Sequence, residues 1–151
     1  MTGEPQIAVV GDTFPVGCKH SEKIVYYEAF EKNADAKKEE YNTECGMYEP
    51  GCGLDNLHMT YGHDEYLYHV MKDLLPEEAL YIIRYHSFYP LHQHNAYSHL
   101  LNDKDRKLVP LLRAFQKYDL YSKEDKPLDV EALRPYYQEL VAEFLPPVLN
   151  W

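Results

Sequence analysis

Along the second half of the chain, apolar residues recur at helical spacing. Leu67, Val70, Met71 and Leu74 fall at i, i+3, i+4 and i+7, which predicts one face of a helix. Pro76 stops that helix and can open the next, with Glu77 and Glu78 in its first turn. Ala79, Ile82 and Ile83 continue the second helix on one face, and Tyr89-Pro90 is expected to end it. Residues 91–107 are polar and histidine-rich, the pattern of a loop with a short helical turn. A third helix is expected from near Pro110 through Tyr118. Leu133, Tyr137, Leu140, Val141 and Phe144 give a fourth stripe, closed by Pro146-Pro147. The first half reads differently. Residues 7–10 form a short apolar run entering a loop at Gly11, Asp12 and Pro15, and residues 23–30 allow a second extended piece. Residues 31–40 carry no apolar stripe and read as a solvated loop, while Gly46, Pro50, Gly51 and Gly53 mark another loop over residues 45–56. The expected class is mainly α, a single domain over residues 1–151 with short extended segments near its N-terminus.

The polar members of these stripes carry the candidate chemistry. His63 lies four residues before Leu67, on the inward face of the first helix; His86 lies three after Ile83, on the inward face of the second. Asp119 is four residues after Phe115 and seven after Leu112, on one face of the third. His63 is eleven residues before Leu74 and His86 eleven after Leu75. If the chain folds back at Leu75-Pro76, both histidines come level at the open end of a hairpin, each roughly 16 Å from the turn at about 1.5 Å per residue. Two imidazoles at one level of a helical core can ligate one metal ion, and iron accepts imidazole and carboxylate ligands. A lone histidine on an apolar face is more often a hydrogen-bonded core residue, so the pair carries more weight than either alone. An unpaired buried carboxylate at Asp119 would be costly, although Arg, Lys or Tyr can satisfy it. Spacing gives His58, His69, His92, His94 and His99 no role. His63-Asp64 matches the adjacent His and Asp of HD phosphohydrolases, but over two residues only; Asp64, one step round the helix, is expected to support His63 or to sit in the helix N-terminus.

Composition excludes several classes. A net charge of −10 makes nucleic acid and anionic membrane surfaces poor partners. No apolar run approaches the roughly 20 residues needed to span a bilayer. Cys18, Cys45 and Cys52 are odd in number and match no common zinc spacing, which suits free thiols in a reducing cytosol.

Five segments, VVGDTFPVGC (9–18), GHDEY (62–66), RYHSFYP (84–90), FQKYDLY (115–121) and LRPYY (133–137), resemble the carboxy-terminal part of myo-inositol oxygenases, and the likeness extends over residues 4–151. The resemblance implies a partial HD-domain-like helical bundle from an enzyme with two iron ions, which opens the ring of myo-inositol with dioxygen to give D-glucuronate. It implies that His63 and His86 hold the substrate-side iron and that Asp119 is a ligand of the other. It further implies inositol contacts from Gly11, Asp12, His86, Ser87 and Lys123, with no catalytic residue beyond the metal ligands. The family's other iron ligands, one histidine and an adjacent His-Asp pair whose Asp bridges the irons, lie upstream of the segment matched by GEPQ. They are absent from this sequence, which begins MTGEPQ. The expectation is therefore an incomplete iron site, little or no activity from this stretch alone, and association through apolar surface left bare. Two other readings stand beside it: a non-catalytic binding or assembly module that keeps part of the fold, and an HD-type metal phosphohydrolase, for which no basic cluster near His63 offers a phosphate site.

Overall fold

A computed structural model describes residues 11–119 and 128–149. Five α-helices follow an irregular N-terminal third: α1 (His63–Met71), α2 (Glu77–Tyr85), α3 (Tyr89–His94), α4 (Asp103–Asp119) and α5 (Val130–Phe144). The architecture is mainly helical, as expected. The extended run at residues 7–10 falls outside the described residues. Phe14, Pro15 and Val16 run extended against residues 58–60, joined by one antiparallel bridge between Pro15 and Met59 and by hydrogen bonds from Val16 N–H to His58 O and Thr60 N–H to Phe14 O. Thr13 N–H donates to Ser87 O at 3.0 Å, which fastens the Gly11-Asp12 loop to the end of α2.

Several boundaries differ from the sequence expectation. Residues 23–30 do not extend: Tyr26 adopts a left-handed conformation (φ 58°) and Tyr27–Lys32 form a 3-10 helix. The next stretch is mostly exposed, with two further 3-10 turns, Ala34–Lys37 and Glu39–Tyr41. Helix α2 ends at Tyr85, with His86 as its C-cap. Tyr89-Pro90 begins α3 instead of ending α2, because a proline in the first turn of a helix forfeits no intrahelical hydrogen bond. Helix α4 starts at Asp103, seven residues before Pro110, which lies inside it. The start is fixed by a reciprocal cap: Asn102 Oδ1 accepts from Asp105 N–H at 3.0 Å, and Asp105 Oδ2 accepts from Asn102 N–H at 3.1 Å. Asp105 also accepts from Leu54 N–H and the Tyr81 hydroxyl. Packing on α2 and α3 then carries α4 through the one hydrogen bond that Pro110 cannot make.

The core is rich in aromatic side chains. Tyr81, Tyr85, Phe88 and Tyr97 are buried together with Leu54, Leu57, Leu91, Leu100 and Leu112. No disulfide joins Cys18, Cys45 or Cys52. Among the described residues no helix is long and apolar enough to cross a membrane.

The α1–α2 hairpin closes at Lys72–Pro76 as the pattern predicted, but its buried face is not the apolar stripe. The buried residues of α1 are Asp64 and Glu65, those of α2 are Tyr81, Arg84 and Tyr85, and Leu67 is 40% exposed. Helix α5 forms with Asp129 as its N-cap, yet no residue of it is buried.

Candidate metal centre

His63 opens α1 directly after Gly62, and His86 caps the C-terminus of α2. The hairpin brings their Nε2 atoms to 3.1 Å, with ring centroids 5.0 Å apart and the rings nearly perpendicular (81°). His86 Nδ1 lies 2.9 Å from the Ile83 carbonyl oxygen, which can only accept, so Nδ1 carries the proton. In a neutral ring Nε2 then presents a lone pair towards His63. Outward Nδ1–H bonding of this kind is how metal-ligating histidines are usually oriented.

Asp64 approaches the Nδ1 side of both rings and is almost wholly buried, at 1% exposure. Its Oδ1 approaches His63 Nδ1 to 2.8 Å, and its Oδ2 is 3.8 Å from His86 Nδ1. The short approach lacks hydrogen-bond direction: His63 Nδ1 and Asp64 Oδ2 are both buried with no hydrogen-bond partner. Burial raises the Asp64 carboxyl above its ordinary range, against the opposing pull of His86 and His63. Ser87, also buried, places Oγ 3.4 Å from His63 Nε2.

One ligand atom from each of His63, Asp64 and His86 lies within 4.8 Å of the others. Two imidazole Nε2 atoms face each other, and a buried carboxylate stands on their Nδ1 sides with one oxygen unpartnered, a set of groups with a net charge of −1 when both rings are neutral. A divalent cation offsets that charge, and mixed imidazole and carboxylate ligands suit iron or zinc better than calcium or magnesium.

The other sequence candidates are placed as follows. Asp119, expected inward on α4, is exposed at the helix end and stands outside this cluster; its Oδ2 accepts from the Tyr89 hydroxyl at 3.4 Å. Asp12 is half-buried and accepts from Val25 N–H at 3.3 Å. Burial raises its carboxyl above the ordinary range, with the Val25 hydrogen bond and His92 opposing. Gly11 is exposed, with φ 140°, a value that favours glycine. Lys123 lies outside the described residues.

Sequence reasoning gave His92 no role. It is buried, with Nε2 2.8 Å from His86 O and Nδ1 3.1 Å from Gln116 Oε1, and so ties α4 to the end of α2. Its position six residues past His86 carries no periodic signal. Asp64 sits closer to both rings than its helix position suggested, since the His-Asp dipeptide signals proximity to one ring only.

A family sequence model described as Myo-inositol oxygenase matches residues 1–151. The chain belongs to this family. It is 52% identical to an inositol oxygenase of Dictyostelium discoideum over 151 residues, covering 98% of this chain and 52% of the relative. It is 54% identical to an inositol oxygenase of Danio rerio, covering 98% of this chain and 55% of that relative. For an inositol oxygenase of Bos taurus the identity is 50%, covering 100% and 54%. The chain thus spans about half the length of the curated relatives it matches. His63, Asp64 and His86 could together hold a metal ion, in keeping with the two histidine ligands that the resemblance implied.

Proposed function

We propose that this chain contributes to an inositol oxygenase, which cleaves the ring of myo-inositol with dioxygen to D-glucuronate, and that it supplies the substrate-side part of a two-iron site. The observation that carries this reading is the convergence of His63 Nε2 and His86 Nε2 beside the buried, orphaned Asp64 oxygen, within a chain of that family. In this reading His63 and His86 hold the substrate-side iron. Asp64, with Oδ1 2.8 Å from His63 Nδ1, balances charge behind that ring. Iron, when bound, supplies a Lewis acid that makes inositol hydroxyls easier to deprotonate, together with a means of reducing dioxygen.

The chain's own groups bind and orient. Ser87 Oγ, beside His63 Nε2, is placed to hydrogen-bond a hydroxyl of a bound polyol. Gly11 and Asp12 form a loop held to the end of α2 through the Thr13–Ser87 hydrogen bond, which supports a role for Asp12 in accepting from substrate hydroxyls. Lys123 completes the proposed inositol contacts. Asp119 is assigned to the second iron; it is exposed at the end of α4, where it accepts from the Tyr89 hydroxyl.

Two histidines and a neighbouring carboxylate make a weak site for Fe(II), so the 151-residue chain alone is expected to have little or no activity. Anaerobic loading with Fe(II), followed by iron analysis and glucuronate assay under oxygen, tests this. Less than one tightly bound iron and no glucuronate are expected. Two irons and product would mean that this stretch builds a complete site. Retention of the same iron by His63→Ala would remove the assignment of the histidine pair.

A further inference from the structure

The sequence pattern assigns nothing to Glu65 or Arg84, yet both are buried, at 8% exposure each. Arg84 Nε and Nη2 donate to the two carboxylate oxygens of Glu65 at 2.7 and 2.9 Å. The guanidinium also stacks on the Tyr68 ring, 4.4 Å from its centroid. Glu65 is two residues after His63 in α1, and Arg84 two residues before His86. Two residues are about 200° of helical rotation and about 3 Å of rise. The ion pair therefore crosses from α1 to α2 at nearly the level of the imidazoles but on the opposite flank of the seam.

We infer that Glu65 and Arg84 are positioning residues whose ion pair locks the roll of α1 against α2 and so sets the separation of the His63 and His86 imidazoles. One pin would leave the helices free to roll about it. Two pins on opposite flanks at one level remove that freedom, because widening the imidazole gap must compress or tear the ion pair. A planar guanidinium engaged at two nitrogens fixes angle as well as distance, which a lysine or an apolar contact would not. Buried ion pairs add little net stability over well-packed apolar residues, so a merely structural seam has no need of one. The inference rests on reading the histidine pair as a metal half-site.

The test uses the 151-residue chain with Co(II) as the metal probe and the nuclear Overhauser effect between the His63 and His86 ring protons in the metal-free chain. Arg84→Met keeps the stem packed on Tyr68 and removes the fork. Lys104→Met serves as control: Lys104 joins Glu77, at the far end of the hairpin, and Asp55, at 2.6 Å each, and Asp55 stands 3.7 Å from Arg84 Nη1, so the control also reports what a disturbed Asp55 contributes. Arg84→Met is expected to weaken Co(II) binding about tenfold or more and to abolish the ring-to-ring effect, with helix content retained. Lys104→Met is expected to lower the melting temperature while leaving both readouts as in the parent. Equal readouts in the two variants overturn the inference. If Arg84→Met does not fold, Arg84→Lys carries the same measurements: weaker binding and a weaker effect are expected, and parental values overturn the inference. If the parent binds Co(II) no better than His63→Ala, the metal reading fails, while the ring-to-ring effect still decides whether the ion pair sets the imidazole separation.

Discussion

The α1–α2 hairpin and α5 are opposites. The hairpin buries polar side chains, Asp64, Glu65 and Arg84, and leaves its apolar stripe half out, with Leu67 40% exposed. Helix α5 carries the cleaner apolar stripe and buries none of it: Leu133, Tyr137, Val141 and Phe144 are between 37% and 57% exposed. The hairpin has a partner in α4 and a cluster of charges that fix its geometry, whereas α5 makes no comparable packing with another helix among the described residues. Periodicity reports that a helix has an apolar side; it does not report what that side meets. The family's relatives are about twice as long as this chain, so about half of each has no counterpart in it.

The largest way to break this contrast is to remove the polar centre of the packed region. Asp105 is 1% exposed and accepts from Leu54 N–H, Asn102 N–H and the Tyr81 hydroxyl at 3.0–3.2 Å. Asp105→Ala leaves three donors without an acceptor, two of them backbone. A loss of about 3–5 kcal/mol is expected in denaturant unfolding. A loss below about 1 kcal/mol would mean that water replaces the carboxylate and that the packed region is looser than its burial indicates.

The second measurement sets one leucine against another. Leu112 is 1% exposed in α4, and Leu133 is 37% exposed in α5. Leu112→Ala is expected to cost about 2–5 kcal/mol and Leu133→Ala no more than about 0.5 kcal/mol. A large cost at Leu133 would show that α5 is covered in solution, by another copy or by itself, and the contrast drawn above would fall.

The meeting of His63 and His86 was legible because their distances from the turn are equal, and a hairpin with a short connection leaves little choice of register. The exposure of Asp119 was not legible. It shares a stripe with Leu112 and Phe115, but α4 leaves the core beyond Leu112: Phe115 is already 37% exposed and Asp119 follows one turn later. The early start of α4 was hidden because Pro110 is a stronger local signal than the Asn102 and Asp105 cap, which matters only once Asp105 is buried. The pairing of Glu65 with Arg84 was not legible either, since nothing in spacing alone joins a glutamate to an arginine nineteen residues away.

The smallest expected effect lies in the N-terminal third, in the pH dependence of stability. The His20 ring packs edge-on against Phe14 and Phe30, with centroids 5.5 and 5.1 Å away. Burial holds its pKa below the ordinary histidine value, with Asp35 opposing. The native chain therefore binds a proton at His20 less readily than the unfolded chain, where the imidazole titrates near about 6.5. The sign follows from linkage: His20 contributes fully above the unfolded value, and the contribution falls as pH drops through about 6.5 towards the lower native value, because protons then favour the unfolded state. His20→Phe keeps an aromatic ring between Phe14 and Phe30 and removes the titration. Urea midpoints measured from pH 7.5 to 5.5 should decline less steeply in this variant than in the parent. Parallel declines would place the acid sensitivity elsewhere. A steeper parental decline would show that the irregular third closes on an uncharged imidazole, and that its packing, unlike the charge-pinned hairpin, depends on keeping charge out.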